Sequence, residues 1–267
     1  MSLTFRQRLG RGLQIGLPAR VFTVLQSLRS RNYQRRWFQQ TGLAAAARNW
    51  VGRYGCAVSS GPFQGLLYPP DSILSRQAIP ILLGNYELEL HPVISAFSQA
   101  NYECVIDIGC AEGYYCVGLA RLLRIPVFAF DTDFRERRYC RQMAELNQVS
   151  EWVRLHGWCS PRRLSKLARG RRALVICDCE GYETELFRSE VLPSLAQSDL
   201  CIELHGEAQR LLPPRLEAGH QVTIIPFTGA APAAPELDLI GPDAQRFRRE
   251  IRQPDQTWLW ARARTSR

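Results

Sequence analysis

Val105-Ile106-Asp107-Ile108-Gly109-Cys110-Ala111-Glu112-Gly113 decides the reading of this chain. A short apolar run, long enough for one buried strand, breaks into a glycine turn and then into a helical stretch over 114–123. Strand, glycine turn and helix in that order open a nucleotide-binding α/β fold, because glycine lets the backbone turn tightly and come close to a ligand. The acids narrow the choice of ligand. In a pyrophosphate-binding loop the phosphates rest on bare N–H groups at the helix N-terminus, and carboxylates at Asp107 and Glu112 would repel them. They suit a cationic ligand instead. A ribose clamp is expected at the end of the next strand, roughly 20 residues on, and Val127-Phe128-Ala129-Phe130-Asp131 supplies a carboxylate there.

The turn resembles the D-x-G-x-x-x-G motif of class I S-adenosylmethionine-dependent methyltransferases, with Asp107, Gly109 and Gly113 in place. A second stretch, Val175-Ile176-Cys177-Asp178-Cys179-Glu180-Gly181-Tyr182-Glu183, is similar to the I-D-x-E-G-x-E segment of FkbM-type methyltransferases, which mostly methylate hydroxyl oxygens. The resemblance implies S-adenosylmethionine as cofactor, whose sulfonium and ammonium lie beside an adenosine, and a hydroxyl on a small molecule or glycan as acceptor. It also implies that Glu87, in Leu83-Gly84-Asn85-Tyr86-Glu87, lies near the methionine end of the cofactor, although a helix-start carboxylate is equally favoured there by the dipole. The expected cofactor set is Glu87, Asp107, Gly109, Cys110, Gly113, Asp131, Thr132, Trp158 and Asp178. Cys110 belongs by its place in the turn, and its side chain reads as a small filler. Where the family often has an acid for the adenine amino group, this chain has His156-Gly157-Trp158-Cys159-Ser160. Adenine recognition is therefore expected from the backbone, with stacking on Trp158 or a core role for that ring as the other readings.

From residue 104 onward strand and helix patterns alternate, the signature of a parallel sheet with crossovers on both faces. Strands are expected at 104–108, 127–130, 153–156, 174–177, 199–204, 221–225 and 257–261. Helices are expected at 115–123, 135–146, 161–167, 182–195 in two pieces, and 208–218. The fold class is thus a Rossmann-like, seven-stranded, mostly parallel sheet with helices on both faces, and the resemblance implies an antiparallel final hairpin. Upstream, a Gly-Pro turn between two β-prone runs over 56–70 reads as a hairpin, followed by a helix over 91–97. Pro-rich 229–242 reads as a surface loop. The organisation expected is a basic amphipathic helical arm (1–57), a lead-in hairpin and helix (58–100) and the catalytic domain (101–267).

Charge is distributed unevenly along the chain. The whole sequence has 34 basic and 25 acidic residues, yet ten arginines and no acid precede Asp71. The basic pI therefore belongs to the arm, and the catalytic body is not read as a nucleic-acid surface. Within the arm, Val21, Leu25 and Leu28 recur at helical spacing while Arg20, Arg29, Arg31, Arg35 and Arg36 take other positions. Three readings compete: a helix packed over the cofactor domain, an interfacial helix on anionic lipid, and a targeting segment. Nine cysteines are spread singly without a C-x-x-C pair. Together with the lack of an apolar run near the ~20 residues of a membrane span, this leads to the expectation of a reducing, cytoplasmic setting, with peripheral membrane contact through the arm as an option.

Methyl transfer from a sulfonium is a direct displacement, so the protein chiefly aligns the reactants and excludes water. A hydroxyl acceptor also calls for a base. His205 follows a core strand beside Glu203 and is the candidate base, with Asp178 as the alternative. The other three histidines read as structural. Asp178, Glu203 and His205 at neighbouring strand ends also make a candidate divalent-ion set, with oxygen-rich chemistry suited to Mg²⁺ or Mn²⁺. The competing functional class is an N-methyltransferase acting on a macromolecule held by the basic arm. The sequence has Asp178-Cys179-Glu180-Gly181 where many such enzymes carry N/D-P-P-Y/F.

Overall fold

A computed structural model describes residues 43–70, 72, 77–228 and 257–264. Residues 1–42 of the arm and the loop 229–242 lie outside the described residues, so the amphipathic stretch around Val21 to Leu28 and its three readings lie there too. The elements in chain order are α1 (Leu43–Tyr54), α2 (Ala78–Leu83), α3 (His91–Phe97), β1 (Cys104–Ile108), α4 (Tyr114–Leu123), β2 (Val127–Phe130) and α5 (Phe134–Leu146). They continue with β3 (Val153–His156), α6 (Pro161–Ala168), β4 (Ala173–Cys177), α7 (Glu183–Leu186), β5 (Asp199–Leu204), α8 (Ala208–Glu217), β6 (His220–Pro226) and β7 (Thr257–Ala263). Single 3₁₀ turns precede α3, at Leu88–Leu90, and follow α7, at Leu192–Leu195.

The strands form one sheet in the order β3-β2-β1-β4-β5-β7-β6. The first five are parallel, and β7 runs antiparallel between β5 and β6. This is the Rossmann-like, mostly parallel seven-stranded sheet expected from the sequence, with the antiparallel final hairpin that the resemblance implies. Because side chains alternate across a strand, β1 sends Val105 to one core and Cys104, Ile106 and Ile108 to the other. All five residues of β1 are buried, as a parallel strand covered on both faces requires. One face is covered by α4, α5 and the segment from α1 to α3, the other by α6, α7 and α8.

The lead-in segment is built into the first of these cores. Phe63, Leu66, Tyr68, Leu82 and Ile94 are each at most 3% exposed and cluster with the sheet residues Val105, Val127 and Leu174. The expected hairpin over 56–70 makes a single antiparallel bridge, Ala57 to Leu67. Its chain reverses through 61–65, and the Val58, Gly65 and Tyr68 N–H groups donate across the turn to the Leu66, Val58 and Cys56 carbonyls. From the arm, α1 contributes the buried Ala47 and Trp50 to the same cluster. Among the described residues no helix is long and apolar enough to cross a membrane, and all nine cysteines are free thiols.

The turn after β1 determines how closely the elements approach. Gly109 has φ +91°, and a Cβ there would stand 1.7 Å from the carbonyl oxygen of Asp178. Neither the dihedral nor the space admits a side chain. Gly109→Ala should therefore destabilise by about 3 kcal/mol or more, the sum of left-handed strain and overpacking. For a chain of this size that lowers the melting temperature by on the order of 10 °C, which a calorimetric scan checks. A melting temperature within a degree of wild type would mean that the approach is not tight.

Candidate functional site

The carboxyl ends of β1 to β4 surround a cleft of about 530 Å³, open to solvent, lined among others by Gly109, Asp131, Thr132, Gly157, Trp158, Asp178 and Glu180. Ligands in open α/β sheets lie at this edge. Asp131 follows β2 and is 5% exposed. Its Oδ2 accepts the Ala111 N–H at 3.0 Å and its Oδ1 the Asp133 N–H at 2.8 Å, so the carboxylate is fixed to the glycine turn on one side and to the start of α5 on the other. A carboxylate oxygen has two acceptor sites, so one such bond does not exhaust either oxygen. Thr132 stands exposed on the rim. Trp158 stacks at a tilt on Tyr182, with ring centroids 4.6 Å apart.

Four residues of the expected cofactor set are absent from the cleft wall, and of these Gly113 caps α4 with φ +114° and packs against Cys140 and Val117. Asp107 is 2% exposed and lies beneath the turn, absent from the cleft wall. Burial, reinforced by the charges of Asp131 and Asp178, raises its carboxyl well above the ordinary range, against the opposing pull of the Cys116 N–H in the first turn of α4. Its Oδ2 is enclosed without a hydrogen bond, so Asp107 ties β1 to α4 and acts on the cleft through the turn above it. Cys110 is a buried filler, as its size suggested, with its thiol beside Cys140. Glu87 is 1% exposed with φ 50°, and it accepts a hydrogen bond from the Tyr115 hydroxyl of α4. It also adds its charge to that of Glu203. The lead-in segment thereby contributes a carboxylate to the acidic end of the sheet.

That acidic end centres on His205. Glu203 shares its strand face with Cys201, and the chain carries His205 on past the end of β5 toward β4. The imidazole Nδ1 is 3.0 Å from Glu183 Oε1. The other nitrogen, Nε2, is 3.7 Å from Glu203 Oε2 and 3.9 Å from both Asp178 Oδ1 and Glu180 Oε2. Burial by itself would lower the imidazole pKa, but the hydrogen bond to Glu183 and the charges of Asp178, Glu183 and Glu180 outweigh it and raise the pKa to about 9. Asp178, with 32% of its side chain exposed, is raised to about 6 by desolvation first and then by Glu180, while His205 and a hydrogen bond shared with Glu203 pull it down. Glu203, 3% exposed, is raised well above the ordinary carboxyl by burial and then by Asp178 and Glu87.

These charges bear on the expected roles. Held as an imidazolium at neutral pH, His205 has no lone pair with which to accept a proton, so it acts as a base only after the neighbouring carboxylates are neutralised. Asp178 is the group whose pKa lies near neutrality and whose side chain also lines the cleft. The structure adds Glu183, the last acid of the stretch from Val175 to Glu183. It is fully buried, accepts the Gly181 N–H at 3.1 Å and orients the His205 ring. Glu180, with φ 57° and a 63% exposed side chain, joins it from the cleft side. The three remaining histidines are structural: His91 lies on the Tyr86 carbonyl, His220 on those of Leu195 and Ser198, and the His156 ring packs on Phe130.

No protein-family profile and no curated protein matches the sequence. Among solved structures, the chain is similar to the METTL16 methyltransferase domain at 14% identity, covering 82% of this chain and 77% of that one, with a TM-score of 0.48. It is also similar to a putative O-methyltransferase from Klebsiella pneumoniae (12% identity, 66% and 79% covered, TM-score 0.46). A third likeness is to a precorrin-8W decarboxylase from Methanobacterium thermoautotrophicum (18% identity, 66% and 89% covered, TM-score 0.45).

The charge on His205 has a measurable consequence. In protein freed of metal ions, the imidazole resonances of His205 should titrate near pH 9, against the ordinary 6.5. Since the folded-state pKa is the raised one, the stabilisation from this ion pair is complete below pH 6.5 and is lost as pH rises through about 9. Glu183→Gln should shift the midpoint downward and flatten that loss of stability. A wild-type midpoint at or below 6.5 would show that the carboxylates do not set the charge of the ring.

Proposed function

We propose that this chain is an S-adenosylmethionine-dependent methyltransferase that methylates a hydroxyl on a small molecule or glycan by direct displacement, as the FkbM-type resemblance implies. The observation that supports it most is Asp131, a buried carboxylate fixed by the Ala111 and Asp133 N–H groups at the end of β2. It stands across the cleft from Asp178 at the end of β4. In this reading the ribose hydroxyls lie on Asp131, the adenine lies by Gly157 and Trp158, and the sulfonium faces Asp178. The backbone of 157–158 supplies polar contacts to adenine in place of the missing acid. Asp178 is the base, and the acidic end with Glu87 and Glu203 receives the methionine ammonium and the acceptor.

Calorimetry with S-adenosylmethionine and with its demethylated product tests this. Both should bind with micromolar or better affinity. Asp131→Ala, which leaves two ribose hydroxyls without their acceptor, should weaken both by about 1–3 kcal/mol, or roughly 5- to 150-fold. Turnover of labelled cofactor against a panel of hydroxylated metabolites and glycans then identifies the acceptor. If neither ligand binds the wild type, the reading fails. If Asp131→Ala binds as well as wild type, the ribose lies elsewhere.

A further inference from the structure

We infer that the ends of β4 and β5 form a divalent-cation site in which Asp178, Glu203 and His205 are the protein ligands and Glu183 is the positioning residue that aims the histidine. One ligand atom from each of the three lies within 4.8 Å of the others. The arrangement around His205 Nε2 is the informative part. This nitrogen is enclosed and makes no hydrogen bond, yet three carboxylate oxygens surround it at 3.7, 3.9 and 3.9 Å. That is too long for direct donation to any of them. Ligands about 2.1 Å from a shared ion lie roughly 3.0 Å apart when adjacent and 4.2 Å when opposite, so the observed separations fall in the range that one ion would bridge.

The second nitrogen supports the same conclusion independently. Metal-bound histidines hand their remaining ring N–H to a carboxylate, which fixes the tautomer and turns the other nitrogen toward the ion. His205 Nδ1 does this at 3.0 Å with Glu183, whose fully buried side chain is in turn held by the Gly181 N–H. Glu183 alone would satisfy a structural histidine. Without an ion, the charge facing the three further carboxylates is the imidazolium itself, whose Nε2 proton reaches none of them directly; a divalent ion would displace that proton to solvent and take its place between the oxygens. Two carboxylates and one imidazole, with Glu180 at the open side, form a hard, oxygen-rich set that suits Mn²⁺ or Mg²⁺. Asp178 belongs both to this trio and to the cleft wall. On the proposed methyl-transfer reading, on which this last step rests, the ion would hold the acceptor hydroxyl beside the sulfonium and lower its pKa.

The full chain, stripped with chelator and desalted, should be titrated with Mn²⁺ and the free ion followed by electron paramagnetic resonance, with no cofactor present. One equivalent should bind, and the bound ion should show the magnetic coupling of a single histidine nitrogen. Glu203→Gln and His205→Ala should each weaken binding at least tenfold. Glu183→Gln, which leaves every ligand in place, should weaken it about 10- to 100-fold. No saturable Mn²⁺ binding, or binding without nitrogen coupling, overturns the site, and the coupling measurement on wild type holds even if the buried variants fail to fold. Calorimetry of the demethylated cofactor in the presence of chelator separates the two claims. Cofactor binding without Mn²⁺ binding leaves the methyltransferase reading and removes this one, and Mn²⁺ binding without cofactor does the reverse.

Discussion

The backbone of Gly109 passes against the Asp178 carbonyl, and the geometry of the site depends on that contact. The Asp178 N–H donates to the Ile108 carbonyl at 2.9 Å, while the missing side chain of Gly109 leaves room for the Asp178 carbonyl on the other side. The glycine turn after β1 and the strand end that carries Asp178 are thereby one rigid piece of backbone. A displacement reaction needs its donor and acceptor aligned to a fraction of an ångström. A site fixed by main-chain contacts between two central strands meets that demand better than one built on loops.

Electrostatics then work against the fold at its active end. Alternation along β1 and β5 sends Asp107 and Glu203 to the same face as Val105 and Cys201. Glu87 reaches that end from the lead-in segment, and Asp178, Glu180 and Glu183 reach it from the loop after β4. Buried carboxylates close together are costly unless they are protonated, paired or bound to a cation. The raised carboxyl groups of Asp107, Asp178 and Glu203 and the charged imidazole of His205 are the protein's own partial solution. A cationic cofactor would complete it, since its sulfonium and ammonium are the charges this end lacks.

Much of this was legible in the sequence because central parallel strands and their crossovers leave a strong pattern. The runs at Cys104, Val127, Val153 and Asp199 begin their strands where the residues said they would, and helix starts differ by a residue where a left-handed glycine such as Gly113 caps the turn. The hairpin over 56–70 is present as read, and what the sequence hid is how far it is built into the core. β-prone residues there serve burial, as Phe63 does in resting on Gly118 of α4, where any Cβ would meet the ring at 2.8 Å. The role of Glu183 was hidden because its partner lies 22 residues away on another strand, and no local periodicity reports such a contact. The charge on His205 was hidden for the same reason, since it follows from the joint placement of Glu183, Asp178 and Glu180. Asp131 was legible, because its position at the end of the second strand follows from topology alone.

The place of β7 in the sheet governs the order in which the molecule can be completed. It is the last strand in the sequence, yet it lies between β5 and β6 and pairs with both. Until it arrives, Leu200, Ile202 and Leu204 of β5 stand on an open edge and β6 has no neighbour. The ends of β6 and β7 are far apart in the sequence, and bringing them together is entropically unfavourable. During synthesis the five parallel strands can therefore assemble around the cofactor turn while an apolar edge remains bare, the kind of surface that pairs with other chains. The final strand thus acts as a latch as well as a member of the sheet.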